Sequence, residues 1–137
     1  MRIRTFTVPF AKVAPDATEI EFGPDDYLVV RPLFGLPREQ QAAIWKRISE
    51  VETLAEAAKD APPDDGDRLA TEEKGELLIL DMLRTACTEW HLEGPDGPIP
   101  IPGTPEALNA LPGGLAAGLY PFLTRYRGED PNPTTPR

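Results

Sequence analysis

The chain has 137 residues, 40% of them hydrophobic and 27% charged, with a formal net charge of −9 at pH 7. That length suits one domain with its own apolar core, and the composition is that of a globular protein, not a wholly disordered one. It excludes a membrane span, since no apolar run approaches ~18 residues, and it argues against a nucleic-acid partner, which demands clustered Lys and Arg. The basic residues Arg2, Arg4 and Lys12, with Arg125 and Arg127 far along the chain, read as solvated charge. Basic or amphipathic proteins are the partners an acidic surface favours. The first residues carry two arginines but no sustained apolar stretch, so no secretory signal is expected. The single cysteine, Cys87, allows neither an internal disulfide nor a multi-cysteine zinc cluster, which fits an intracellular protein.

The first third reads as strands. Phe6, Val8 and Phe10 alternate with polar or small residues, and Pro9 restricts that strand to an edge or ends it early. Ile20 and Phe22 alternate in TEIEF, GPDD follows with turn chemistry, and YLVVRPLF is rich in β-branched and aromatic residues. These features predict a hairpin from about Thr18 to Leu33, which the first strand can join. A lone hairpin is barely stable, so helices must cover it.

Pro37 suits the first turn of a helix, and residues 38–60 after it contain neither Gly nor Pro. Ile44, Ile48, Val51 and Ala55 form its apolar face, with Lys46, Arg47, Glu50 and Glu52 outward. APPDDGD stops it and joins it to an antiparallel partner. Thr71 has the character of an N-cap, with acidic residues after it where the helix dipole favours them, although Gly75 weakens that first turn. The spacing predicts helix through Trp90, with Leu80, Leu83, Cys87 and Trp90 on one face and Leu77, Ile79 and Met82 widening it. Thr104 then caps a short helix with Pro105 at its first position. A last helix covers Leu115 to Tyr126, where Leu115, Leu119, Phe122 and Tyr126 recur at helical spacing and Pro121 kinks it or delays its start. Residues 128–137 are polar and proline-rich and are expected to be disordered.

Chemistry-bearing residues are scarce. His91 is the only histidine, and at a helix end its simplest use is to meet the terminal carbonyls. Cys87 reads as a small buried hydrophobe. A Cys87–His91 contact at i, i+4 is the one reactive pairing available, and no third group is visible to orient it. DAPPDDGD lacks the alternating ligands and terminal glutamate of a calcium loop, and PGG at 112–114 is followed by neither Lys nor Ser, as a phosphate loop requires. The expectation is a protein that is not an enzyme and takes no cofactor or metal. Trp45 and Trp90 serve as core or as partner anchors, with Trp45 at the margin of its apolar stripe.

Between the helices lies WHLEGPDGPIPIPGTPEALNALP, residues 90–112. PIPIPG favours an extended, polyproline-like chain that is stiff and therefore cheap in entropy to order. It leaves its helix at Trp90, turns at Gly94–Gly97, returns extended with Ile99 and Ile101 toward a groove between helices, and starts a new helix at Thr104. This is a structured strap with no catalytic group.

The order of Trp90, Leu92, Asp96-Gly97, Ile99-Pro100, Thr104-Pro105-Glu106, Leu108 and Leu111-Pro112 resembles the C-terminal half of tail assembly chaperones of long-tailed bacteriophages. The motif covers about a third of the chain, and elsewhere the resemblance is one of layout. It implies a non-enzymatic protein that coats the long helical tape-measure protein and hands it to tail-tube subunits, acting in the host cytoplasm during infection. Many such chaperones are also made in a longer, frameshifted form. The alternative is a small structural component of the virion, in the tail, connector or capsid.

The expected architecture is α+β: a small N-terminal antiparallel sheet or hairpin packed on three to four helices, with a Pro-rich strap, one domain over residues 1–127 and a tail over 128–137. Trp45, Trp90, Ile99, Ile101, Leu115, Leu119 and Phe122 are the candidate partner surface, and self-association is a further expectation.

Overall fold

The computed structural model describes residues 2–13, 19–59 and 66–124. Along them run β1 (Phe6–Pro9), α1 (Phe10–Val13), β2 (Tyr27–Val30), a 3-10 turn at Leu33–Gly35, α2 (Arg38–Lys59), α3 (Gly66–Ala86), β3 (Cys87–His91), β4 (Glu93–Gly94), β5 (Gly97–Pro98), α4 (Pro105–Leu108) and α5 (Leu115–Thr124). The architecture is α+β, as expected. Two of the five helices have only four residues. The tail at 128–137, Tyr126 and the end of the proposed 1–127 domain lie outside the described residues.

β2 holds the centre. Leu28, Val29 and Val30 are all buried, as β-branched and aliphatic side chains favour on a central strand. β1 and β3 flank it antiparallel. Pro9 sits at the end of edge strand β1, where its missing N–H costs no central ladder bond. The hairpin expected from Thr18 is not what forms. Thr18 lies outside the described residues, Glu19–Phe22 are not strand, and β2 pairs with β1 and β3 instead. Asp26 supplies a reason. Its Oδ2 accepts from the Gly23 N–H (2.8 Å) and its Oδ1 from the Glu93 N–H (3.0 Å), while its own carbonyl accepts from the Phe10 N–H (3.0 Å). That turn leads the chain into β2 and leaves Phe22 to stack on Phe10, with ring centroids 5.9 Å apart.

The second correction concerns α3, which ends at Ala86, so Cys87–His91 is strand and not the last turn of the helix. The helical spacing misled for a physical reason. The register passes from Val29↔Glu89 to Val30↔Cys87, so Thr88 is an extra residue in a β-bulge, its hydroxyl donating to the Val29 carbonyl (3.3 Å). A bulge moves a three-residue separation onto one face. Cys87 and Trp90 therefore both pack against the core, as they would on a helix. The start of α3 also differs. It begins at Gly66 with Asp67 in its first turn, and Thr71 lies inside it, its hydroxyl donating to the Asp67 carbonyl (2.8 Å).

α2 forms over nearly the expected range, with Ile44, Ile48 and Val51 buried. Ala55, expected on that face, is exposed, and Ala58 continues the buried stripe. Arg47 in the middle of α2 meets Asp81 in the second half of α3 (3.0 Å), which ties the two packed helices together. Such exposed pairs contribute ~0–1 kcal/mol, so packing of Ile48, Val51, Ile79 and Leu83 carries the stability. α5 packs on α3 and α1. Pro121 lies inside α5 and neither delays nor ends it. Losing one backbone bond there costs ~3 kcal/mol, and burying Leu115, Leu119 and Leu123 offsets it at ~1.5–3 kcal/mol each.

The strap is ordered as expected, once it is taken to leave a strand and not a helix. Glu93–Pro98 form a small hairpin whose turn needs Gly97 at φ +120°. The Ile99 N–H donates to the Leu92 carbonyl (2.8 Å), and Pro102 is buried. Thr104 caps α4, its hydroxyl accepting from the Ala107 N–H (3.2 Å), with Pro105 in the first turn.

Two helical glycines separate packing from propensity. A Cβ on Gly118 would stand 2.9 Å from Val13 Cγ1 and 3.1 Å from the Val13 carbonyl oxygen, whereas one on Gly75 meets nothing within 4 Å. Gly75→Ala is expected to stabilise by ~0.5–1 kcal/mol. Gly118→Ala is expected to destabilise by ~1 kcal/mol, overpacking outweighing the same helical gain. Urea denaturation of both variants checks this. Equal gains in the two would mean that α1 moves aside freely.

Candidate functional site

The seven residues expected to meet a partner do not converge on one surface. Leu115 and Leu119 are 2% and 0% exposed and belong to the core of the folded chain. Phe122, Ile99 and Ile101 are half-buried and pack against that core. Trp90 is also half-buried. Its ring meets Phe10 edge-on at 5.0 Å, and its indole N–H donates to the Ile99 carbonyl (2.8 Å). Arg84 completes the joint by donating to the carbonyls of Ile101 (3.1 Å) and Pro102 (3.0 Å). Trp90 and Ile99 thus fasten the strap to the sheet. Trp45 is the most exposed of the seven, at 41%.

Cys87 and His91 do not sit together one helical turn apart. They pair with opposite ends of β2, Val30 and Tyr27, and the bulge leaves Cys87 on the core face with His91 on the other. Burial pushes the Cys87 thiol above its usual range, with the nearby Glu89 carboxylate adding to it and hydrogen bonds to the Glu89 and Val29 backbone opposing it. Cys87 Sγ donates to the Glu89 carbonyl (2.7 Å). His91 does not meet helix carbonyls. Its ring lies 4.8 Å from that of Tyr27, and Nε2 stands 3.3 Å from a Glu89 carboxylate oxygen. Among the described residues no group of three or more His, Cys, Asp or Glu is placed to hold a metal ion.

The surface that the helices leave open lies elsewhere. A groove of about 540 Å³ runs between α2, α3 and α5. Val51, Leu54, Ala55 and Ala58 line it from α2; Thr71, Gly75 and Ile79 from α3; and Gly114, Ala117 and Tyr120 from α5 and the turn before it. Small side chains on three converging helices leave the hollow, because none reaches across it. Glu52 from α2 and Glu72 and Glu76 from α3 complete the lining. Beside it along α3 a second hollow, about 390 Å³, shares Glu72 and Glu76 and is lined further by Glu73, Leu69, Leu111 and Ala116, and Leu69 is 58% exposed.

The electrostatics follow from this placement. Partial burial pushes the Glu76 carboxyl above its usual 4.5, and the neighbouring Glu72 and Glu73 push it further. Glu72 is paired with Arg68 (3.1 Å), one turn earlier. The acidic chain concentrates its opposite charge at another groove, about 550 Å³, where Arg2 and Arg4 are joined by Arg31 beside Ile3 and Leu36. Arg31 donates there to the Gly35 carbonyl (3.1 Å).

Sequence periodicity does not reveal the groove between α2, α3 and α5, because it concerns one helix at a time: it makes Gly75 a weak point of a helix start and puts Ala55 on an apolar face. The available signal was small residues next to glutamates on two successive helices.

Comparison of the chain with protein-family models, with curated proteins and with solved structures finds no match. Among the described residues no helix is long and apolar enough to cross a membrane.

Two measurements test this geometry. Trp90→Phe keeps an aromatic ring and loses the N–H to Ile99, so unfolding in urea is expected to show a loss of ~1 kcal/mol; an unchanged midpoint would mean the bond adds nothing net. Glu76 has a raised folded pKa, so the folded state binds its proton more tightly than the unfolded chain. Its ionisation therefore lowers stability as pH rises from 4.5 through the raised value, and the cost is complete above that value. Glu76→Gln is expected to raise the melting temperature at pH 7 and to lose that advantage below pH 4.5. A gain independent of pH would contradict the assignment.

Proposed function

We propose that this chain is a non-enzymatic holding protein that binds an amphipathic helix of another protein. The observation that carries this reading is the open apolar groove among α2, α3 and α5, floored by small side chains that let a fourth helix approach closely. Together with the resemblance of residues 90–112, it supports a tail assembly chaperone. The tape-measure protein then supplies the helix, tail-tube subunits receive it, and the action takes place in the host cytoplasm.

The strap has a supporting part in this reading. Trp90 and Arg84 hold it by three hydrogen bonds to its carbonyls, so it braces the sheet end and leaves the helical groove as the working face.

The test is an affinity capture of the tagged full chain from cells expressing its native gene set. A very long helical protein is expected at high stoichiometry, with the chain itself missing from purified particles. Stoichiometric presence in particles would instead make it a virion component, and a chain recovered alone would overturn the holding role.

A further inference from the structure

We propose that the occupant of the groove between α2, α3 and α5 is a cationic amphipathic helix, docked with its apolar stripe on the small-residue floor and its Lys or Arg side chains between Glu52 and Glu76. The proposal rests on the holding role above and names the chemistry of the partner.

Both long walls bring carboxylates, Glu52 from α2 and Glu72 and Glu76 from α3, while the α5 side brings only Gly114, Ala117 and Tyr120. A helix lying along the groove therefore has negative charge on two flanks and apolar surface beneath. The charged groups acting on Glu76 are Glu72 and Glu73 on its own helix, and Glu52 and Tyr120 line the same groove from α2 and α5. Lys74, the cation nearest along α3, is not among the residues lining the groove, and Arg68 is engaged by Glu72. No Lys or Arg is among the residues lining the groove, and the upward push on the Glu76 carboxyl comes first from partial burial, with Glu72 and Glu73 adding to it. A cationic partner relieves it; an acidic one compounds it. A second copy of this chain would bring a net charge of −9 to the same flanks.

Size sets the footprint. The lining residues Thr71 to Ile79 span about 12 Å of α3, or about two helical turns. A partner helix thus engages through about three apolar side chains at i, i+3 or i+4, and i+7. Ala55, Ala58, Gly75 and Ala117 give them room. So short a footprint yields modest affinity per site, so a long helical partner is held by repeated copies along its length.

The experiment titrates the isotopically labelled full chain with a synthetic amphipathic Leu/Lys helix of about 18 residues and with its Leu/Glu counterpart, followed by NMR. Binding of the Lys peptide is expected, with shifts confined to residues 51–58, 71–79 and 114–120, and the Glu peptide is expected not to bind. The double variant Glu52→Gln, Glu76→Gln should weaken binding roughly tenfold and flatten its salt dependence. Ala117→Trp fills the groove from an exposed position and should abolish binding, with Ala55→Trp as the second plug should the first not fold. Glu106→Gln, on α4, should leave binding unchanged.

Undiminished binding in a folded plug variant, equal binding of the Glu peptide, or shifts scattered over the acidic surface would overturn the proposal. So would self-association of the full chain that Ala117→Trp abolishes, which would make a second copy the occupant. The two readings fail separately. Capture of a helical protein that Ala117→Trp does not reduce would sink the groove assignment and leave the holding role standing. Peptide docking without any helical protein in the capture would do the reverse.

Discussion

The burial of β2 is the constraint on which the rest of this structure depends. Its last three residues, Leu28, Val29 and Val30, are all removed from water, so the strand must be paired on both edges and covered by helix. One partner comes from the start of the chain and the other from beyond two long helices. The price of this arrangement is loop closure over some sixty residues between β2 and β3, which ordering of α2 and α3 against each other offsets. Asp26 then joins β2's approach to α1 and β4, and the β3 bulge keeps Trp90 turned inward to hold the strap.

From that constraint the position of the groove follows. α3 runs directly into β3, so its second half is locked over the sheet, with Ile79, Leu80, Met82 and Leu83 buried. Its first half extends past the core, and there its neighbours are small residues of α2 and α5. Packing is complete where the sheet lies below and open where it does not. The glutamates of α3 fall on the open half, where their charge remains near solvent while apolar floor lies beside them. The groove is walled partly by residues that also hold the fold, Val51, Ala58 and Ile79, and partly by exposed small ones, Ala55 and Ala117.

How much of this was legible in the sequence depends on the range of the physics involved. α2 was readable because a long run free of Gly and Pro carries one apolar period, and the Thr104–Pro105 helix start because capping is local. The strap was readable because proline restricts its own residue and its neighbour. β1 was readable from alternation, but its pairing was not, since the side chain that redirects the chain, Asp26, acts on Gly23 and on Glu93, far along the sequence. Cys87 to His91 misled for a sharper reason: the bulge at Thr88 gives a strand the same-face spacing of a helix. As for the site, Trp90, Leu115 and Leu119 were conspicuous by size, and size placed them where the fold needed volume. The groove is made by what is small, on three helices at once, and single-helix periodicity does not report that.

The most direct measurement of the central claim is amide hydrogen exchange of the full chain alone and in the presence of the proposed helical partner. Protection confined to α2, α3 and α5 around Val51–Ala58, Thr71–Ile79 and Gly114–Tyr120, with residues 90–102 unchanged, is the expected result. Protection of the strap, with those helical segments unaltered, would contradict the account and move the working surface to Trp90 and the isoleucines.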